Sequence, residues 1–118
     1  MPYVDGFVVP VPTKKLDDYK KLAKTAAKVW REHGALDYQE FVADDVNPGK
    51  LTSFPRSVKL KPGETVVFSW IAYKNRAHRD RVNKKVMKDP RIAGMDMKNA
   101  PFDGKRMIYG GFKLLVGG

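Results

Sequence analysis

Apolar residues recur along this chain with two different periods. In the run VVFSWIAY (66–73) they alternate, so that Val66, Phe68 and Trp70 share one face of a strand and Val67, Ile71 and Tyr73 the other. Both faces are apolar. A strand over residues 64–74 therefore has to be covered on both sides, and a single layer of helices covers only one. Residues 3–11 predict another strand, with Tyr3, Asp5, Phe7 and Val9 on one face and Val4, Gly6 and Val8 on the other; Pro10 and Pro12 end it. From Leu16 the period changes. Leu16, Tyr19, Ala23, Ala26 and Trp30 form one helical stripe, with Thr13 as the expected N-cap and Gly34 as the stop.

Residues 35–46 read as a strand of mixed polarity, and a loop follows from Asn47 to about Gly63. Its middle, SVKLK, is expected to be an exposed arm or a short extra strand. Asn75 is placed to cap a second helix that carries His78, Val82 and Val86 on one face, and Asp89-Pro90 ends it. Residues 91–104 read as loop with one helical turn near Ile92–Met95, and 105–116 as the last strand. The order β-α-β-β-α-β predicts a ferredoxin-like α+β fold: a four-stranded antiparallel sheet with two helices on one face, in one domain over residues 1–118.

Composition narrows the chemistry. The 118 residues hold no cysteine, which excludes disulfides, thiolate catalysis and cysteine-bound metal clusters. The two histidines lie 45 positions apart, and no metal or other cofactor is expected. No apolar stretch approaches the length of a membrane span, and no signal-peptide pattern opens the chain, so a cytoplasmic protein is expected. The net charge of +10 is concentrated in two segments. Residues 14–31 and 74–91 together carry +11 and the remainder −1. These basic helices are either solvated faces or an attraction for anions.

No motif names a reaction, but four groups of residues carry candidate chemistry. Asp5, Glu40, Trp70, Arg106 and Tyr109 could line a small-molecule pocket on the sheet. Asp5 interrupts an apolar strand, so it needs a cation or a raised pKa, and Arg106 is the expected cation. Arg79-Asp80-x-x-Asn83, with Asp89 and Arg91, is expected to form a polar network locking the helix end to the next loop, or to position an anionic ligand. Gly110-Gly111 inside a strand implies a close approach by a helix, a partner chain or a ligand. Finally, Phe68-Ser-Trp70-Ile-Ala-Tyr73 has the aromatic spacing with which some β-α-β-β-α-β domains stack RNA bases.

The segments YVDGFVV (3–9), VVFSWIAY (66–73), DPR (89–91) and PFDGKRMIYGGF (101–112) resemble the YbaA-like family of small bacterial proteins, and the likeness runs from about residue 2 to 113. The resemblance implies a dimeric α/β barrel of the antibiotic-biosynthesis-monooxygenase-like superfamily, in which two sheets pack face to face. A partner's sheet would then cover Phe68 and Trp70. Haem-degrading members of that superfamily use an Asn on the first strand, a Trp on the third and a His on the second helix. Here Trp70 and His78 match and Asp5 stands in the place of the Asn. The family itself has no established activity. The leading expectation is a homodimer with small-molecule binding or cofactor-independent enzymatic activity, with Asp5, Trp70, His78 and Tyr109 as catalytic candidates. Glu40, Phe68, Trp70, Asn83 and Arg106 are the candidate ligand contacts. The alternatives are RNA or another anion held by the basic helices and the Phe68/Trp70 face, and a structural dimer without ligand.

Overall fold

A computed structural model describes residues 2–118. All ten residues of β1 (Tyr3–Pro12) pair antiparallel with all ten of β3 (Glu64–Tyr73), from Tyr3 opposite Tyr73 to Pro12 opposite Glu64. The edge strands are β2 (Asp37–Val42), against β3, and β4 (Ile108–Lys113), against β1. The order β2-β3-β1-β4, antiparallel throughout, is the expected ferredoxin-like sheet. β1 tolerates Pro10 and Pro12 because the β4 ladder reaches only to Val8, which leaves the outer side of β1 unpaired at the prolines.

Helices α1 (Leu16–Glu32) and α3 (Arg76–Lys88) cover one face of the sheet. Val29 of α1 and Val82 and Val86 of α3 close on Ile71 and Tyr73 of β3 in one buried cluster. Tyr19 joins Val9, Val11 and Val67 in a second. Gly34, with φ +115°, ends the α1 stop as expected, since a side chain there would be strained. Asn75 caps α3, its side chain accepting from the His78 N–H. Thr13 is not the α1 cap. It opens a 3₁₀ turn (Thr13–Lys15), its N–H is donated to the Gly63 carbonyl, and no side chain caps α1.

Three segments differ from the sequence reading. β2 and β4 are shorter than expected, at six residues each. The stretch SVKLK is neither arm nor strand. Ser53 and Pro55 start a short helix α2 (Phe54–Ser57), and Lys59 takes a left-handed φ of +49°, which breaks the alternation. Val58 and Leu60 then dock on Val8 and Val66, on the sheet face opposite α1 and α3. After α3, Asp89 ends one helix and caps the next, α4 (Pro90–Ala93). It grips Arg91 through both oxygens and His33 at 2.8 Å, while Arg91 reaches Glu32 at 2.8 Å. This network ties α4 to the end of α1, and Arg79 and Asn83 lie outside it.

Beyond the patch that α2 covers, the second sheet face is open. Phe41, Phe68, Ile108 and Phe112 are 46%, 41%, 45% and 62% exposed there, with Trp70 half-buried among them. The Phe112 ring lies beside Gly6 and Gly110 on this face.

Two outcomes follow for stability. Val58→Ala should lower the unfolding free energy by about 2 kcal/mol, as much as Val86→Ala, because both remove fully buried methyl groups; chemical denaturation measures it. At the β1/β3 end, Arg106 holds Glu64 and Asp103 below their ordinary carboxylate values. Folded pKa values below the unfolded ones add stability that is present above the unfolded values and lost as pH falls through the folded ones. In acid titrations followed by circular dichroism, Arg106→Met should therefore flatten the loss of stability below the ordinary carboxylate range.

Candidate functional site

The β1–β3 register sets every candidate side chain on one face or the other. On the helix-covered face, Asp5 sits between Ile71 of β3 and Gly111 of β4. Its side chain is only 11% exposed. The expected partner Arg106 is not there. It pairs at the far end of the sheet with Glu64 (2.6 Å) and Asp103 (2.8 Å). The cation beside Asp5 is Arg79 of α3, with Nε 3.4 Å from the carboxylate. That Nε is buried without a hydrogen-bond partner among the described residues. The same guanidinium donates to the Tyr3 hydroxyl at 2.8 Å and lies over the Tyr3 ring. Burial pushes the Asp5 pKa up, and the Arg79 charge, followed by the polar ends of Asn83 and Tyr73, pulls partly against it.

Asn83, one turn after Arg79, has its orientation set by two donors. Its Oδ1 accepts from the Trp30 indole at 3.1 Å and from the Tyr73 hydroxyl at 3.2 Å. With the oxygen so occupied, the amide nitrogen is the end left to serve Asp5. Gly111 is the floor under this group. A Cβ there would collide with the Tyr3 hydroxyl and the Arg79 guanidinium, so the close approach implied by the glycine pair is that of a strand side chain and a helix side chain together. Further along the same face, Glu40 accepts from the Tyr19 and Tyr38 hydroxyls, the latter at 2.7 Å. Burial, reinforced by the Glu40 charge, pushes both phenols well above their ordinary value, so they remain protonated donors.

The remaining candidates do not join Asp5. Phe68 and Trp70 lie on the open face, with the thickness of the sheet between them and Asp5. His78 is spent on local structure: its Nδ1 accepts from the Lys74 N–H at 3.0 Å and its ring stacks edge-on against Tyr73. The Asp5, Trp70 and His78 set implied by the haem-degrading relatives is therefore divided between two faces, and a single pocket lined by Asp5, Glu40, Trp70, Arg106 and Tyr109 does not form. Tyr109 is on the helix-covered face at its exposed edge, stacked on Phe7. The RNA-type reading meets the same obstacle, since the basic helices lie on one side of the sheet and Phe68 and Trp70 on the other. Sequence reasoning missed the parts played by Tyr3, Tyr73 and Trp30. The signal for Arg79 was present: it follows His78 of the α3 stripe by one position, and Asp5 required a cation.

Two substitutions test this packing. Gly111→Ala should destabilise the fold by about 1–3 kcal/mol, because the new methyl meets Tyr3 and Arg79. Asn83→Ala should lose roughly 2 kcal/mol by orphaning the Trp30 and Tyr73 donors; thermal melts with tryptophan fluorescence report both.

Comparison with known proteins agrees with this architecture. The family described as "Protein of unknown function (DUF1428)" matches residues 2–104. The chain is 50% identical over 116 residues, 98% of both chains, to the uncharacterized protein YbaA of Escherichia coli strain K12, and equally to YbaA of Shigella flexneri. Among solved structures, it is similar to an uncharacterized NIPSNAP domain protein from Burkholderia xenovorans, with a TM-score of 0.60 at 16% identity, covering 95% of this chain and 93% of the other. It is also similar to a dimeric ferredoxin-like protein from an uncultured marine organism, with a TM-score of 0.55 at 12% identity over 99% of each chain. The distant pair speaks for the ferredoxin-like fold alone, whereas the sequence match runs through both the strands and the helix that build the Asp5 cluster: the chain belongs to the DUF1428 family of bacterial YbaA-like proteins, for which no specific function is established.

Proposed function

We propose that this protein is a cytoplasmic homodimer that binds a small organic molecule at the Asp5 cluster and removes a proton from it without a cofactor. The observation that carries the reading is the pair Asp5 and Arg79. A carboxylate raised by burial is a stronger base than an ordinary aspartate, and it stands 3.4 Å from the Nε of a guanidinium that makes no hydrogen bond through that nitrogen among the described residues and that also pairs with Asp80 at 3.3 Å. Arg79 and the Tyr3 hydroxyl can take the negative charge that develops when a carbon acid loses its proton. The cluster is not sealed: the Arg79 side chain remains 23% exposed.

Dimerisation rests on a separate feature. Phe41, Phe68, Ile108 and Phe112 form an apolar surface on a sheet face that no helix covers. Apolar surface of this kind drives association. A second sheet laid on it would bury these side chains, and a structurally similar protein is described as dimeric. Nucleic acid and membrane have no part in the reading; among the described residues, no helix is long and apolar enough to cross a membrane.

Two measurements test the reading. Light scattering on a sizing column should give a dimer whose mass is unchanged by salt, and Phe68→Glu should convert it to a folded monomer; a wild-type monomer overturns the dimer. A panel of small carbonyl compounds and organic acids in D₂O, followed by proton NMR, should show enzyme-dependent exchange of one carbon-bound proton. Asp5→Asn should abolish that exchange while the circular-dichroism spectrum is kept. Exchange that survives in Asp5→Asn, or a panel with no exchange, sinks the catalytic proposal.

A further inference from the structure

A second site lies far from Asp5, where the β1 and β3 strands end at Pro12 and Glu64. The segment 97–105 folds past these ends and leaves a groove of about 660 Å³, within the roughly 300–1,000 Å³ typical of small-molecule sites. Its apolar lining is Pro12, Ala100, Met97 and Phe102. The Phe102 ring is fixed edge-on against Tyr19, with centroids 5.9 Å apart. Met97 is 60% exposed and flexible, a side chain able to close over an apolar guest.

The charge at the rim selects the guest. Two carboxylates line the groove, Glu64 and Asp103, and Arg106 engages both. Its Nη2 and Nη1 donate to the two Glu64 oxygens at 2.6 and 2.8 Å, and its Nε donates to Asp103 at 2.8 Å. The carboxylates are thus turned inward as a staple. Lys98 and Lys105 also line the groove, and neither takes part in an ion pair among the described residues. An apolar floor under two unpaired ammonium groups matches a molecule with an apolar body and one anionic end.

We propose that this groove binds a small amphipathic organic anion, its apolar part on Phe102 and Met97 and its carboxylate between Lys98 and Lys105. The site does not share a residue with the Asp5 cluster, so it stands or falls independently of the proton-transfer reading. The arrangement discriminates by charge: the uncharged analogue keeps the floor contacts and loses the lysines.

Titration of the full chain with octanoate and, separately, with 1-octanol, followed by amide chemical shifts, tests it. Octanoate should move the signals of Met97, Ala100, Gly104 and Lys105, and 1-octanol should bind about tenfold more weakly at the same place, the loss of one charge-assisted contact. The double variant Lys98→Gln/Lys105→Gln, both at exposed positions, should bring octanoate down to the level of the alcohol. Equal affinity for acid and alcohol, shifts confined to the Phe68 and Phe112 face or to the basic helices, or no shifts at millimolar octanoate would each overturn the proposal.

Discussion

The pairing of β1 with β3 is the constraint on which the rest of the structure depends. Ten consecutive residue pairs leave no slack in the register, and a slip of one position would turn every side chain of a strand to the opposite face. In the observed register, Asp5 is carried under α3 and Trp70 is carried away from it. The separation of the molecule into a helix-covered side that holds the main core and an open aromatic side is a direct result. Neither side could be rearranged without breaking the central ladder.

Within the helix-covered side, polar groups are embedded in an otherwise apolar layer at two places. Glu40 is satisfied by two tyrosine hydroxyls from α1 and β2, so it carries its charge into the layer with its oxygens occupied. Asp5 is less completely served, with a guanidinium at the long end of ion-pair distance and that guanidinium's Nε left over. The contrast matters, because a fully satisfied carboxylate is a structural group, and a poorly satisfied one retains interaction energy that a ligand can use.

Much of this was legible in the sequence. Alternation over 3–11 and 66–73 gave which residues of each central strand share a face, while the register that puts Asp5 under the helices and Trp70 on the open side came only with the structure; the stripe Val82, Val86 with Asn75 before it gave α3. The need of Asp5 for a cation was legible too, but its identity was not. Arg106 opens what reads as the last strand, expected to lie beside β1, whereas Arg79 lies on a helix; the turn at 103–107 directs Arg106 toward Glu64 instead. SVKLK was misread because alternation over five residues is also produced by a capped helical turn followed by one left-handed residue. Trp30 and Tyr73 escaped notice as polar groups because an apolar pattern counts their rings and ignores the N–H and O–H at their tips.

The sheet is not equally anchored at its two edges. β2 is held by α1 and by the paired β3, whereas β4 pairs only with β1 and is exposed along nearly its whole length. Local opening draws on segments with few buried apolar groups. In a single chain, β4 is therefore the strand least tied to the rest of the fold. Such an opening would lift Gly111 away from Tyr3 and Arg79 and admit solvent to Asp5 from below. Access to Asp5 is thereby linked to the fraying of the edge strand beside it.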